Sequence, residues 1–325
     1  MNITFLIGNG FDLSCGLKTS YPHVYEGYVK TPSSKPIIEK FKQDLINEKT
    51  NENWGNWADF EMGMAKYAKG IPSEKDFIEC ISDFKAYLRE YLLSEQKKYN
   101  QRLSIATNET KEKIKKHMYY SLEKFYEGVS KKYQRLFLGG GFTCNFINFN
   151  YTDIFDSTMR IAYARPNLSY HVHGSLKDGD LTLGVDNETQ IENEFLLTKR
   201  GKRLFVKPFF NNEEDPEKIF RIKNIISRSS CICVFGLSLG DSDAFWKQTL
   251  IEWLRASSDN QLYIFDYKCS KIKLNDIALI RNEEDDRKAV FLKDKGICEE
   301  DDPIYEQIHM PIGTKIFNID EIFPK

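Results

Sequence analysis

Apolar positions along this chain fall into two spacings, one of strands and one of helices. Asn2 to Ile7 is a short, nearly continuous apolar run, the pattern of a strand buried on both faces of a parallel sheet. It ends in Gly8-Asn9-Gly10-Phe11-Asp12. From about Tyr21 to Leu138 the spacing turns helical, with Phe77, Ile81, Phe84 and Leu88, then Leu122, Phe125 and Val129, recurring every three or four residues. Within that block Lys97 to Lys116 is rich in Lys and Glu and reads as a solvated helix or mobile loop. Gly139-Gly140-Gly141 breaks the helical pattern. Strand character returns at Phe142 to Phe149, Ser169 to His173, Leu181 to Val185, Cys231 to Gly236 and Gln261 to Asp266, and more weakly at Val290 to Leu292. Helices are expected between several of these, notably over Glu217 to Arg228 and Ser242 to Ala256.

Strands alternating with helices imply right-handed crossovers. The expected fold is α/β, a Rossmann-like, mostly parallel sheet flanked by helices, with a large helical insertion after the first strand. Residues 1–20 and 139–325 would form the sheet domain, and 21–138, too long for one crossover, the insertion.

A chain of 325 residues with 41% hydrophobic and 29% charged positions has ample material for a core and no compositional case for disorder. A net charge of −2 provides no global attraction to nucleic acid, which makes a nucleic-acid partner unlikely. No apolar run approaches the roughly 20 residues of a membrane span, and the opening residues read as a strand rather than a signal peptide. Seven scattered cysteines fit a cytoplasmic chain with free thiols, and no pair of CxxC motifs marks a zinc site.

Four clusters at expected strand ends carry candidate chemistry. In Gly8-Asn9-Gly10-Phe11-Asp12 two glycines permit a tight turn and close approach to a ligand, and the helix start beyond would offer N–H groups to an anion. Leu13 stands where the dinucleotide fingerprint has its third glycine, and a plain tight turn is the alternative. Asp12 either caps the helix or holds a ribose hydroxyl. Asn150, in Asn148-Phe149-Asn150-Tyr151-Thr152-Asp153, sits where open parallel sheets bind ligands; it forms a turn, or positions a water or sugar hydroxyl. His171 and His173 share a strand face, but no nearby carboxylate pattern completes a metal set. One structural and one functional histidine is expected, with His173 at the strand end as general base. Gly236 through Asp243 repeats the strand–turn–helix arrangement, with Asp241, Ser242 or Asp243 as helix caps and the turn itself as a second wall for an extended ligand. Glu61, in Trp57-Ala58-Asp59-Phe60-Glu61, could reach the site from the insertion. The basic run Lys199 to Arg203, with Lys207 beyond, reads as a solvated loop, or as a phosphate or nucleic-acid contact.

Taken together, Leu6 through Leu13, Gly16 through Tyr21, Trp57 through Glu61, Phe149 through Thr152, His171 through Leu176 and Gly236 through Asp243 resemble the landmarks of the AbiH family of bacteriophage abortive-infection proteins. The resemblance implies an antiphage protein of a bacterial cytoplasm, responding to a phage-derived trigger; whether it forms a homo-oligomer stays open. More distantly, the same order of landmarks is similar to sirtuin-like NAD-consuming domains. That likeness implies Gly8, Asn9, Gly10, Phe11, Asp12, Tyr151, Gly236, Ser238 and Asp241 around NAD as substrate or ligand, Asn150 and His173 as the catalytic pair, and no metal. Thr152 departs from the Asp usual in sirtuin-like proteins, and the four-cysteine zinc module is missing, which argues against lysine deacetylation. A nucleotide-sensing module without catalysis and a nucleic-acid-directed toxin are the rival functions.

Overall fold

The structure is a computed structural model, and it describes residues 2–51, 57–128, 143–162, 169–179, 181–193, 197–265, 277–293, 297, 302–312, 316–317 and 319. Strand β1 (Asn2–Ile7) is the third strand of a six-stranded parallel sheet. The others are β2 (Thr143–Asn148), β3 (Tyr170–His171), β4 (Cys231–Phe235), β5 (Gln261–Phe265) and β6 (Ile308–His309). Their order is β3-β2-β1-β4-β5-β6, so the direction of winding reverses between β1 and β4. All five pairings are parallel, with Phe5 opposite Phe146 on one side and Cys233 on the other. The expected α/β, mostly parallel architecture is what the chain adopts.

Both faces of the sheet are buried, because successive side chains of a strand point to opposite sides. Ile3, Phe5 and Ile7 of β1, with Cys231, Cys233 and Phe235 of β4, enter one core. Leu6 joins Ile232 and Val234 in the other.

Helices α1 (Gly10–Ser14), α2 (Tyr21–Lys30), α3 (Pro36–Asn51), α4 (Trp57–Tyr67), α5 (Glu74–Ser104) and α6 (Asn108–Gly128) lie between β1 and β2. Phe77, Ile81, Phe84 and Leu88 form the apolar stripe of α5 and pack with Tyr21, Tyr28, Phe41 and Phe60 in a core of their own. The later part of the block does something else. Lys97 to Lys116 is helical except around residues 105–107; Tyr99, Leu103 and Ile114 are buried in one core with β1 and β4, while Ile105 is exposed. The charged stretch therefore covers a sheet face with one side and meets water with the other.

Helix α7 (Ile154–Ala162) follows β2. Helices α8 (Lys199–Phe205), α9 (Lys207–Glu214) and α10 (Pro216–Ser227) precede β4, α11 (Ala244–Ala256) follows it, and α12 (Ile277–Leu292) follows β5. Two expected strands are corrected. Leu181 to Val185 makes only a single bridge, Val185 to Val206. Val290 to Leu292 ends α12, since three apolar residues in a row fit a half-buried helix end as well as a strand. Strand β6 had no visible signal. The Gly139-Gly140-Gly141 break, with Val129, Leu138, Phe142 and Asp266, lies outside the described residues. Among the described residues no helix is long and apolar enough to cross a membrane.

Candidate functional site

The carboxyl ends of all six strands open onto one cavity of about 770 Å³. Its wall follows the strand order: His173 beyond β3, Phe149 to Thr152 beyond β2, Asn9, Gly10 and Asp12 beyond β1, Gly236 to Gly240 beyond β4, Phe265 ending β5, and Met310 after β6. Helices close the rest with Glu61 of α4, Leu92 of α5, Lys207 of α9, Lys247 of α11 and Arg287 and Phe291 of α12. The cavity thus straddles the reversal between β1 and β4, where open α/β sheets bind their ligands. Its volume falls within the range of small-molecule sites.

Of the residues the sequence singled out, Asn9, Gly10, Asp12, Asn150, Tyr151, His173, Gly236 and Ser238 line this one cavity. Three expected contacts sit elsewhere. Phe11 is fully buried in the core, edge-on to Phe155, Phe235 and Phe317. Asp241 is exposed, and its carbonyl accepts from Gln190. Gly8 packs against the turn after β4: a Cβ on it would come within 2.5 Å of the Gly236 carbonyl oxygen, and one on Gly236 (φ +63°) within 2.4 Å of Gly10 Cα. These glycines let two backbone turns touch. The Gly8 amide donates to Phe235 O, that of Gly10 to Gly236 O and that of Phe11 to Gly8 O, so these N–H groups are engaged within the fold.

The floor of the cavity is a polar knot. Asn150 donates through Nδ2 to Gly8 O (3.1 Å) and to Asp12 Oδ1 (3.2 Å), while Thr152 Oγ1 donates to Asp12 Oδ2. The Gly8 carbonyl can only accept, which fixes the orientation of the Asn150 amide. Its Oδ1 receives no hydrogen bond among the described residues and is left to the cavity. Burial pushes the Asp12 carboxyl up to about 7, against the hydrogen bond from Thr152, the charge of His171 and the hydrogen bond from Asn150, all of which pull it down.

His171 stands behind this knot. Its Nδ1 is 2.9 Å from Asn150 O and its Nε2 is 3.1 Å from Asp156 Oδ2. Burial disfavours the imidazolium, but Asp156 more than offsets that and raises His171 above its ordinary value. Asp153, Asp156 and His171 bring ligand-type atoms within 4.8 Å of one another. Lys177 Nζ, 2.6 Å from Asp153, and Ser169, bonded to Asp156, meet their charge from within the chain.

The opposite wall holds four charge-bearing side chains, Glu61, His173 and Lys207 buried and Asp243 nearly so. Lys207 Nζ reaches Glu61 Oε2 at 2.8 Å, Ser242 O at 3.1 Å and Asp243 Oδ1 at 3.2 Å. His173 Nε2 lies 3.2 Å from the same Asp243 oxygen, out of line for a hydrogen bond, and neither of its ring nitrogens has a hydrogen-bond partner. Burial works against every charge here. It lowers the Lys207 ammonium, yet Asp243 and Glu61 hold it above its ordinary value. It lifts Asp243, yet Lys207 and His173 bring that carboxyl well below the usual range. Glu61 stays raised, since burial and Asp243 outweigh Lys207.

Sequence reading allowed Glu61 a place at the site, took Asp243 for a cap, and grouped Lys207 with the surface basic run. A visible signal distinguished Lys207: it is one cation inside Phe205-Val206-Lys207-Pro208-Phe209-Phe210, and a charge in an apolar run needs a buried partner. The surface run itself is compensated, with Lys199 and Arg203 paired to Glu213 and Lys202 to Glu188. Trp57, Ala58 and Asp59 have side chains outside the described residues.

A doubly wound parallel sheet with a large cavity across its switch point defines a Rossmann-like class of α/β protein. Residues 4–265 match the family described as Bacteriophage abortive infection AbiH, and the chain belongs to that family. An antiphage, abortive-infection role goes with that membership. No curated protein matches the chain in sequence.

Proposed function

We propose that this AbiH-family protein binds a dinucleotide along the strand-end rim and cleaves its nicotinamide–ribose bond, with NAD the leading substrate. The observation that carries the reading is the single cavity running past six strand ends and over the β1/β4 reversal. Five strand spacings of about 4.8 Å make a rim roughly 24 Å long, enough for two linked nucleotides laid across it. The likeness of its landmarks to sirtuin-like NAD-consuming domains points the same way.

In the proposed reaction the C1′–N bond breaks with its electron pair passing to the pyridinium nitrogen, so nicotinamide leaves neutral. A water adds to C1′ and gives up one proton. Asn150, with its amide hydrogens held by Gly8 and Asp12, presents Oδ1 to a ribose hydroxyl or to that water. His173 takes the proton after its ring turns toward the cavity. Fixed acceptors and a placed water lower the barrier by orientation and charge stabilisation.

A second reading, a nucleotide sensor without chemistry, is favoured by one detail: both His173 nitrogens are shut from solvent. Chromatography of NAD incubated with the full chain, with and without lysate of phage-infected cells, separates the two readings. Cleavage predicts nicotinamide and ADP-ribose in equal amounts, reduced about 10²–10⁴-fold in His173→Ala. NAD left intact while it raises the melting temperature would replace cleavage with sensing.

A further inference from the structure

A second, far smaller chamber of about 10 Å³ adjoins the His173 ring. Its apolar wall is Ile219, Phe245 and Trp246, and its polar wall includes Asn211, Lys207 and Asp243. Among the described residues three buried polar atoms around it have no hydrogen-bond partner: Nδ1 and Nε2 of His173 and Oδ1 of Asn211. His173 is 5% exposed and Asn211 4%. Native interiors seldom leave such atoms unmet, and two residues with unmet atoms on one chamber rarely coincide by chance.

Among the described residues no side chain of the chamber donates to Asn211 Oδ1 or bonds His173 Nδ1, while His173 Nε2 has only the Asp243 carboxylate, at 3.2 Å. The Lys207 ammonium has three hydrogens, and they go to Glu61, Ser242 O and Asp243. Asp186 Oδ1 accepts from the Phe245 amide. The carboxylate of Asp243 is near His173 Nε2 but out of line. What the chamber lacks is a donor for Asn211 Oδ1 that can also bond an imidazole nitrogen. A water molecule is that group, and a chamber of about one water-probe volume with two to four polar partners meets the requirement for a buried water.

We infer that this chamber is a site for one buried water, hydrogen-bonded to Asn211 Oδ1 and to the His173 imidazole, and that Asn211 is thereby a positioning residue for that ring. The water gives one hydrogen to Asn211 and turns its remaining hydrogen or a lone pair to the ring. Together with Asp243 it holds His173 in one orientation and one tautomer. The inference shares His173 with the proposed reaction, but the water and the tautomer are observable whether or not any nucleotide is cleaved.

The test combines crystallography with NMR of the full chain labelled with ¹⁵N-histidine. Wild-type density at high resolution is expected to show one ordered water about 2.7–3.2 Å from both Asn211 Oδ1 and a His173 nitrogen, and the ¹⁵N shifts a single dominant tautomer. In Asn211→Leu, which fills the chamber and removes the acceptor, the water disappears and the tautomer ratio moves by about threefold or more. Asn211→Ser, which keeps an acceptor, retains the water and stays near the wild-type ratio. A dry chamber in the wild-type density overturns the inference, as do unchanged His173 shifts in Asn211→Leu. If Asn211→Leu fails to fold, the wild-type density decides alone. NAD turnover enters neither readout, so failure of the proposed reaction and failure of this inference remain distinct.

Discussion

Replacing Lys207 by Met tests whether the buried charge cluster holds the cavity wall together. The ammonium is the only cation in contact with both Glu61 and Asp243 among the described residues, and its side chain is 6% exposed. Methionine has a similar stem and no charge, so the substitution leaves two carboxylates buried without their counter-ion. Breaking a buried pair by removing one partner costs about 3–5 kcal/mol. For 325 residues, an unfolding entropy of about 2.1 cal/mol/K per residue gives about 0.7 kcal/mol/K, so the melting temperature should fall by about 6 °C. The loss also has a pH signature. Without Lys207 the folded-state values of Glu61 and Asp243 rise above their unfolded values, so the deficit is small when both carboxyls are protonated and grows as pH rises through those values. Calorimetry at pH 5 and pH 8 should therefore show the larger deficit at pH 8. A variant within about 1 °C of wild type at pH 8, or equally impaired at both pH values, would refute the account. Glu61→Gln with Lys207→Met should lose less than the two single changes added together, because they remove the same contact.

Asp12, raised to about 7 in the folded chain from an ordinary 3.8, contributes stability that is full below about 4 and lost as pH climbs to about 7. Asp12→Asn should remove that slope and unfold at higher urea than wild type at pH 8; parallel pH profiles for the two proteins would contradict it. Thr152→Val, which deletes the hydroxyl donor to Asp12, should move the same slope to higher pH, read from urea midpoints. Gly236→Ala combines a left-handed backbone position with a clash against Gly10 Cα and should cost about 3 kcal/mol or more by urea unfolding. A loss below about 1 kcal/mol would mean that the two turns can separate cheaply.

Much of the site was legible because strand ends announce themselves. Gly8-Asn9-Gly10, Asn150, His173 and Gly236 each follow an apolar run, and parallel order puts such positions on one rim. What could not be read was where each side chain points. Phe11 belongs to the same motif as Gly10 but turns into the core, because one helical step swings it to the sheet-facing side. Glu61 and Lys207 are 146 residues apart, and only the folded chain shows that one neutralises the other. The basic run and Lys207 look alike as letters. Lys199, Lys202 and Arg203 have acidic partners nearby at the surface, whereas Lys207 is enclosed. Strand β6 failed to show because its two residues run at once into Met310-Pro311, whereas the equally short β3 lies inside the longer strand-like run Ser169 to His173.

The shortness of β3 has a mechanical consequence. Only Tyr170 and His171 pair with β2, and the segment carrying His173 is held beyond them by single backbone bonds, Val172 N to Asn148 O, Thr182 N to His173 O and Leu176 N to Tyr151 O. The rim is therefore stiffest at its middle, where β1 and β2 have six residues each, and is held at both edges by strands of two, one of them just before the imidazole. Amides of this edge should exchange with deuterium before those of β1 and β4. An edge that loosens on its own gives His173 room to swing without disturbing the sheet that holds the rest of the wall.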